Sequence, residues 1–299
     1  MKISLGSWAF SFGPYARHPV PLPQIIERLA NAGYDGIELC GFPPHVALED
    51  YPTRDSRKDL AKLIADHRLG ISGYLADFSS VNPNVEGQRD RYLDLFRRHV
   101  ELCSDLGSPL IRVDTVSAPG SISDQDYPRV FDRLATTWRE AAAIGADYGV
   151  RVAWEFEPGF IFNKPSEVVA MHQRVDHPQF QIMFDTCHAY MCGVVGARQH
   201  GPKEVLAGGV SEFLEMLSGR IGAIHLIDSD GTLYGDETST HRPFGQGFID
   251  FDYLVPRLLA IPNIEWWTID MSFWEGSWEL VESSRLFLNR LLQYHEVFL

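Results

Sequence analysis

Short apolar runs rich in β-branched and aromatic residues alternate with longer stretches whose apolar positions recur every three or four residues. The short runs lie at Ile3–Trp8, Gly36–Cys40, Gly70–Ala76, Leu110–Asp114, Val150–Glu155, Phe180–Asp185, Ile221–Ile227 and Ile264–Asp270, and they read as strands. The longer stretches read as helices. Leu22, Ile25, Ile26, Leu29 and Ala30 form an apolar face near the start, and Leu280, Leu286, Leu288, Leu291 and Leu292 form another near the end. Strands joined by helical crossovers run parallel, and eight such units predict a closed (β/α)8 TIM barrel. No linker rich in Pro, Gly or Ser and no block of like charge interrupts the pattern, so residues 1–299 are expected to form one domain. The longest irregular stretches, residues 186–201 and 228–250, follow the sixth and seventh strands. They belong to the rim on which such barrels carry their active sites.

Composition changes this picture little, but charge narrows the partners. A chain of 299 residues with 45% hydrophobic residues can build the large core that one barrel needs. Forty acidic against 26 basic side chains leave a formal charge of −14, a field that repels phosphate backbones and anionic membrane surfaces. A nucleic-acid partner is not expected. Nor is a membrane span, since no run approaches the ~18 unbroken apolar residues it would need. The four cysteines form no Cys-x-x-Cys pair, and the N-terminal MKISLGSWAF enters a strand-like run without an apolar leader. Free thiols and a cytoplasmic location are the expectation, and a homo-oligomer stays open.

Candidate chemistry gathers at the strand ends. Glu155 closes the fifth strand, Asp185 the sixth and Asp270 the eighth, and His225 lies near the end of the seventh. A single carboxylate there serves equally well as a helix N-cap, but three carboxylates and an imidazole converging on one point would repel without a cation. This donor set suits one divalent ion, Mn²⁺, Mg²⁺, Co²⁺ or Zn²⁺. Glu157 shares the strand parity of Glu155 and is assigned to substrate or to support of the metal site. His188 is placed to take a water, a substrate hydroxyl or a second metal, and Asp228 to orient an imidazole or cap a turn. Arg242 is a candidate for a polar or anionic substrate end, with Lys164 as a second. Aromatic residues crowd the same rim: Trp8, Phe10, Phe12, Phe42, Phe160, Tyr190, Phe244, Phe273 and Trp274. Trp8, Phe42, Phe244 and Trp274 are taken as substrate contacts on the apolar faces of a sugar or cyclitol ring. No glycine-rich phosphate loop implies a nucleotide cofactor.

Four segments carry a family resemblance: Gly33-Tyr34-Asp35-Gly36-Ile37-Glu38, Gly149-Val150-Arg151-Val152-Ala153-Trp154-Glu155, Phe184-Asp185-Thr186-Cys187-His188, and His225-Leu226-Ile227-Asp228 followed by Gly245-Gln246-Gly247-Phe248-Ile249-Asp250. In this order the chain resembles the xylose-isomerase-like barrels, which include sugar isomerases, ketose 3-epimerases, inosose and dehydroshikimate dehydratases and endonuclease IV. The resemblance implies that Glu155, Asp185, His225 and the eighth-strand acid hold the metal, and that His188 and Glu157 contact substrate oxygens. The family usually carries Glu at the eighth strand where this chain has Asp270, which puts in question a role for that acid in proton transfer. The nuclease branch fits poorly, because the third and fourth strand ends carry no histidine and Ser239 stands where its acid is expected, although His241 matches.

The expected activity is a metal-dependent sugar isomerase or epimerase acting by proton transfer next to a carbonyl through a metal-stabilised enediolate. Glu155 is the first choice of base, with Glu157 and Asp270 the others, and His188 holds a substrate hydroxyl or the oxyanion. A dehydratase of a keto-cyclitol or 3-keto sugar derivative is the alternative, and an inactive metal-binding barrel is a more remote one.

Overall fold

The computed structural model describes residues 1–296, so the last three residues of the expected domain lie outside the described residues. Eight parallel strands form the closed barrel: β1 (Lys2–Gly6), β2 (Gly36–Cys40), β3 (Gly70–Leu75), β4 (Leu110–Val113), β5 (Arg151–Glu155), β6 (Phe180–Asp185), β7 (Ile221–Leu226) and, after a hairpin of β8 (Asp228–Tyr234) and β9 (Thr238–Arg242), β10 (Trp266–Ile269). Each barrel strand pairs with the next in sequence, and β10 closes the ring between β7 and β1. Helices α1 (Leu22–Asn31), α2 (Arg54–Asp66), α3 (Arg89–Leu106), α4 (Tyr127–Asp147), α5 (Pro165–Val175), α6 (Thr186–Tyr190), α7 (Gly209–Met216), α8 (Phe251–Leu259) and α9 (Val281–Glu296) fill the connections.

Alternation along the strands separates two cores. Residues of one parity face the helices: Trp154 on β5 lies 5.1 Å from Trp138 of α4, which also meets Phe180 of β6 at 5.4 Å between ring centroids. The other parity points inward. Leu110, Ala153, Met183 and Ala223, one from each of β4 to β7, pack together as a small buried cluster. Two residues further along the same four strands stand Arg112, Glu155, Asp185 and His225, all buried. A period of two makes these one layer stacked on the other, apolar below and ionisable above.

The two stretches expected to be irregular contain regular elements. Residues 228–242 form the antiparallel hairpin β8–β9, and residues 186–195 form α6 running into a π-helical turn, Met191–Val195. Asp228 fastens the loop after the hairpin. Its carboxylate accepts the backbone N–H groups of Ser229, Gly245, Gly247 and Ile249 at 2.8 to 3.1 Å. Gly247 permits this, since a Cβ there would lie 2.3 Å from the Asp228 carboxylate. All four cysteines are free and buried. Among the described residues no helix is long and apolar enough to cross a membrane.

Candidate metal centre

The inward layer brings Glu155, Asp185, His225 and Asp270 together, each buried and each offering one donor atom within 4.8 Å of the others. In each residue one polar atom is tied to the protein. The Glu155 Oε2 accepts Arg112 Nε at 2.8 Å, and the Asp185 Oδ1 accepts the His188 backbone N–H at 2.7 Å, as the N-cap of α6. The Asp270 Oδ1 accepts Trp8 Nε1 at 2.9 Å and both N–H and O–H of Ser272. His225 Nε2 lies 3.0 Å from Glu38 Oε2, which also accepts Thr268. The remaining atoms face one another: His225 Nδ1 lies 2.9 Å from Glu155 Oε1 and 3.8 Å from Asp270 Oδ2. Glu155 Oε1, Asp185 Oδ2 and His225 Nδ1 are buried without a hydrogen-bond partner.

Unpaired buried lone pairs of this kind are costly unless something shared satisfies them. Two donors bound side by side on an octahedral ion at ~2.1 Å would stand about 3 Å apart, close to the shortest separation here. The residues therefore fit a divalent ion held by three carboxylate oxygens and one imidazole nitrogen. The electrostatics agree. Burial, with the charges of Asp270 and Glu155, pushes the Asp185 carboxyl well above its usual range. Burial disfavours His225 charging, yet Glu38 and Glu155 outweigh it and raise the imidazole well above 6.5, so a proton and a cation compete for the same lone pair. Glu155 is buried too, but Arg112 and His225 hold it well below the ordinary carboxylate range.

Above the centre opens a cavity of about 430 Å³ lined by Trp8, Phe12, Phe42, Phe160 and Phe273 together with Arg112, Glu157, His188, Arg198, Glu237, Thr238 and His241. Gly6 lets the Trp8 ring lie against the end of β1, where a Cβ would come 2.3 Å from it, and that ring leans on His225 at 5.5 Å. Glu157 is held by Arg112 at 3.1 Å and by the hydroxyl of Thr238 on the hairpin. Burial, opposed by Arg112 and reinforced by Glu155, raises its carboxyl to about 7. His188 donates or accepts through Nδ1 with Ser239 at 2.8 Å, and burial lowers its imidazole to about 4. His241 is 2% exposed with both ring nitrogens unpartnered, and burial lowers it as well.

Three expectations need correction. Arg242 and Trp274 do not line the cavity: the Arg242 Nε binds Asp230 Oδ2 at 2.5 Å and its guanidinium lies 5.2 Å from the Trp274 ring. Strand alternation explains this, since adjacent His241 takes the inward face of β9 and turns Arg242 outward. Phe244 stacks on Phe287 of α9 at 4.7 Å and meets Phe251 of α8 edge-on, so it covers the core rather than the site. Glu155, the first choice of base, lines the cavity with one oxygen under Arg112 and the other, without a hydrogen-bond partner, at the centre. Of the other aromatic candidates, Phe10 packs on Trp278 and Tyr15, and Tyr190 faces Phe248. Lys164 precedes α5, its backbone N–H bound to Glu167.

Residues 26–288 match the xylose isomerase-like TIM barrel family. An uncharacterised protein of Methanocaldococcus jannaschii is 27% identical over 252 residues, covering 81% of this chain and 76% of that protein. Fructoselysine 3-epimerase of Shigella flexneri is 22% identical over 234 residues, 76% of this chain and 77% of the enzyme. Among solved structures, a D-tagatose 3-epimerase-like protein superposes with a TM-score of 0.74 at 21% identity, covering 98% of each chain, a likeness of fold.

Proposed function

Since the chain belongs to the xylose isomerase-like TIM barrel family, we propose that it is a divalent-metal-dependent sugar isomerase or epimerase that moves a proton next to a carbonyl. The observation that carries this reading is the meeting of donor atoms from Glu155, Asp185, His225 and Asp270 at the floor of an aromatic-walled cavity. A divalent ion held by these residues supplies a Lewis acid that polarises a carbonyl and acidifies the adjacent C–H. The names of two similar proteins, a fructoselysine 3-epimerase and a D-tagatose 3-epimerase-like protein, support the same class of small-molecule substrate.

The side chains around the centre have distinct tasks. Glu157 lines the cavity two residues from Glu155 and takes the proton, which it can pass to the adjacent carbon in isomerisation, whereas inverting a carbon needs a second acid on the opposite face. Arg112 and Thr238 fix its orientation. His188, neutral and tied through Nδ1 to Ser239, keeps its other nitrogen for a substrate oxygen, and His241 brings a second imidazole with unused hydrogen-bonding capacity. Trp8, Phe12, Phe42, Phe160 and Phe273 cover the apolar faces of the sugar and exclude water from the reacting carbons.

The test is proton NMR in heavy water with keto and aldo sugars and inososes, in the presence of Mn²⁺, Mg²⁺ or Co²⁺. Conversion of one sugar into another with deuterium entering beside the carbonyl is the expected result. Conversion without exchange would indicate hydride shift and overturn the proton-transfer step, and an ultraviolet-absorbing enone product would assign a dehydratase instead.

A further inference from the structure

Among the inward side chains above the apolar layer, Arg112 is the one whose charge works against a cation. A guanidinium beside a divalent ion lowers that ion's affinity by repulsion, although here it also pairs with Asp114, Glu155 and Glu157. Its contacts also fix geometry. Nε and Nη2 both reach Glu155 Oε2, at 2.8 and 2.7 Å. Nη2 also binds Glu157 Oε1 at 3.1 Å and Nη1 binds Asp114 Oδ2 at 2.5 Å, while Asp114 is itself anchored by the Val116 N–H at 2.7 Å. The guanidinium is thus clamped on its far side, and it covers one oxygen of Glu155 from a fixed position.

The other two carboxylates of the centre are blocked in the same way by different donors, Asp185 by a backbone N–H and Asp270 by Trp8 and Ser272. Each therefore presents a single oxygen. For Glu155, whose longer side chain has one more torsion with which to turn, the block depends on Arg112 alone. Large ions such as Ca²⁺ complete coordination numbers of about 6–8 by taking carboxylates through both oxygens, whereas smaller ions accept one oxygen from each.

We propose that Arg112 is a positioning residue that makes Glu155 a one-oxygen donor, and that it thereby sets the centre's preference for small divalent ions over calcium. This rests on the metal-dependent reading above, but not on the identity of the sugar. The test uses the full chain, depleted of metal, with Arg112→Gln and Arg112→Lys, and measures Mn²⁺ and Ca²⁺ affinities by competition together with the Mn²⁺ electron paramagnetic resonance spectrum. Loss of the positive charge strengthens both ions alike, so the ratio of affinities isolates position from charge. The Mn²⁺ to Ca²⁺ ratio is expected to fall about tenfold in Arg112→Gln and to stay low in Arg112→Lys, which restores charge without the two-pronged hold. An unchanged ratio in a folded Arg112→Gln protein, or full recovery in Arg112→Lys, overturns the proposal while leaving the sugar reading standing. If Arg112→Gln fails to fold, the wild-type chain decides: displacement of Mn²⁺ by equimolar Ca²⁺ overturns the proposal, and retention of Mn²⁺ against a large excess supports it. A wild-type chain that binds neither ion overturns both readings.

Discussion

Burial moves Glu157 into the range in which it titrates under ordinary conditions, and that has a consequence for stability as well as for chemistry. In the unfolded chain its carboxyl loses a proton near 4.5, in the fold at about 7. Between those values the folded state holds more protons than the unfolded one, so the stabilisation is complete below about pH 4.5 and is lost as pH rises through 7. In chelator-treated protein the melting temperature should therefore fall from about pH 5 to 7.5, and Glu157→Gln should flatten that fall; an unaltered slope in the variant would place the effect elsewhere. At the same scale, the meeting of Glu155, Asp185, His225 and Asp270 was legible from the ends of their strands because carboxylates and imidazoles are the residue types that suit a hard or borderline divalent ion. Arg112 and Glu38 were visible in the same segments and carried no assignment. Parity would have found Arg112, two residues beyond inward-facing Leu110, but a cation attracts no notice in a search for anions. Glu38 makes its contact with His225 across the barrel, between β2 and β7, and sequence offers no sign of such a meeting.

The barrel strands were legible because their apolar runs are continuous and bounded by helices whose faces repeat. The hairpin β8–β9 was not. Its strands read DSDGTLY and TSTHR, mostly polar, so although Ser239 and His241 are alternately buried on β9 the sequence shows no apolar alternation to mark a strand. It holds its place through polar contacts instead, Thr238 to Glu157 at its tip and Asp228 at its base. Asp228→Asn replaces one accepting oxygen with an amide donor and leaves backbone N–H groups of the 245–249 loop unpaired. A loss of about 2–3 kcal/mol in urea denaturation is expected, together with faster proteolytic cutting between residues 228 and 250. Unchanged cutting would mean that the loop is held by its aromatic contacts, Phe244 on Phe287 foremost.

On the scale of the whole molecule, five acids, Glu38, Glu155, Glu157, Asp185 and Asp270, are buried around one axis. A cation bound only by the folded state lends it stability by mass action. With free Mn²⁺ at a hundred times its dissociation constant the gain is about 2.7 kcal/mol, or about 5 °C in melting temperature for a chain of this size. Chelation should lower the melting temperature by that order and Mn²⁺ should restore it; indifference to both would count against the centre.

The layer formed by Leu110, Ala153, Met183 and Ala223 lies directly beneath that centre. The centre faces the aromatic-walled cavity on its other side, so whatever rests in that mouth would cover a bound ion. A saturating sugar should accordingly slow the stripping of the ion by chelator, making the metal's escape a clock for how long the guest stays.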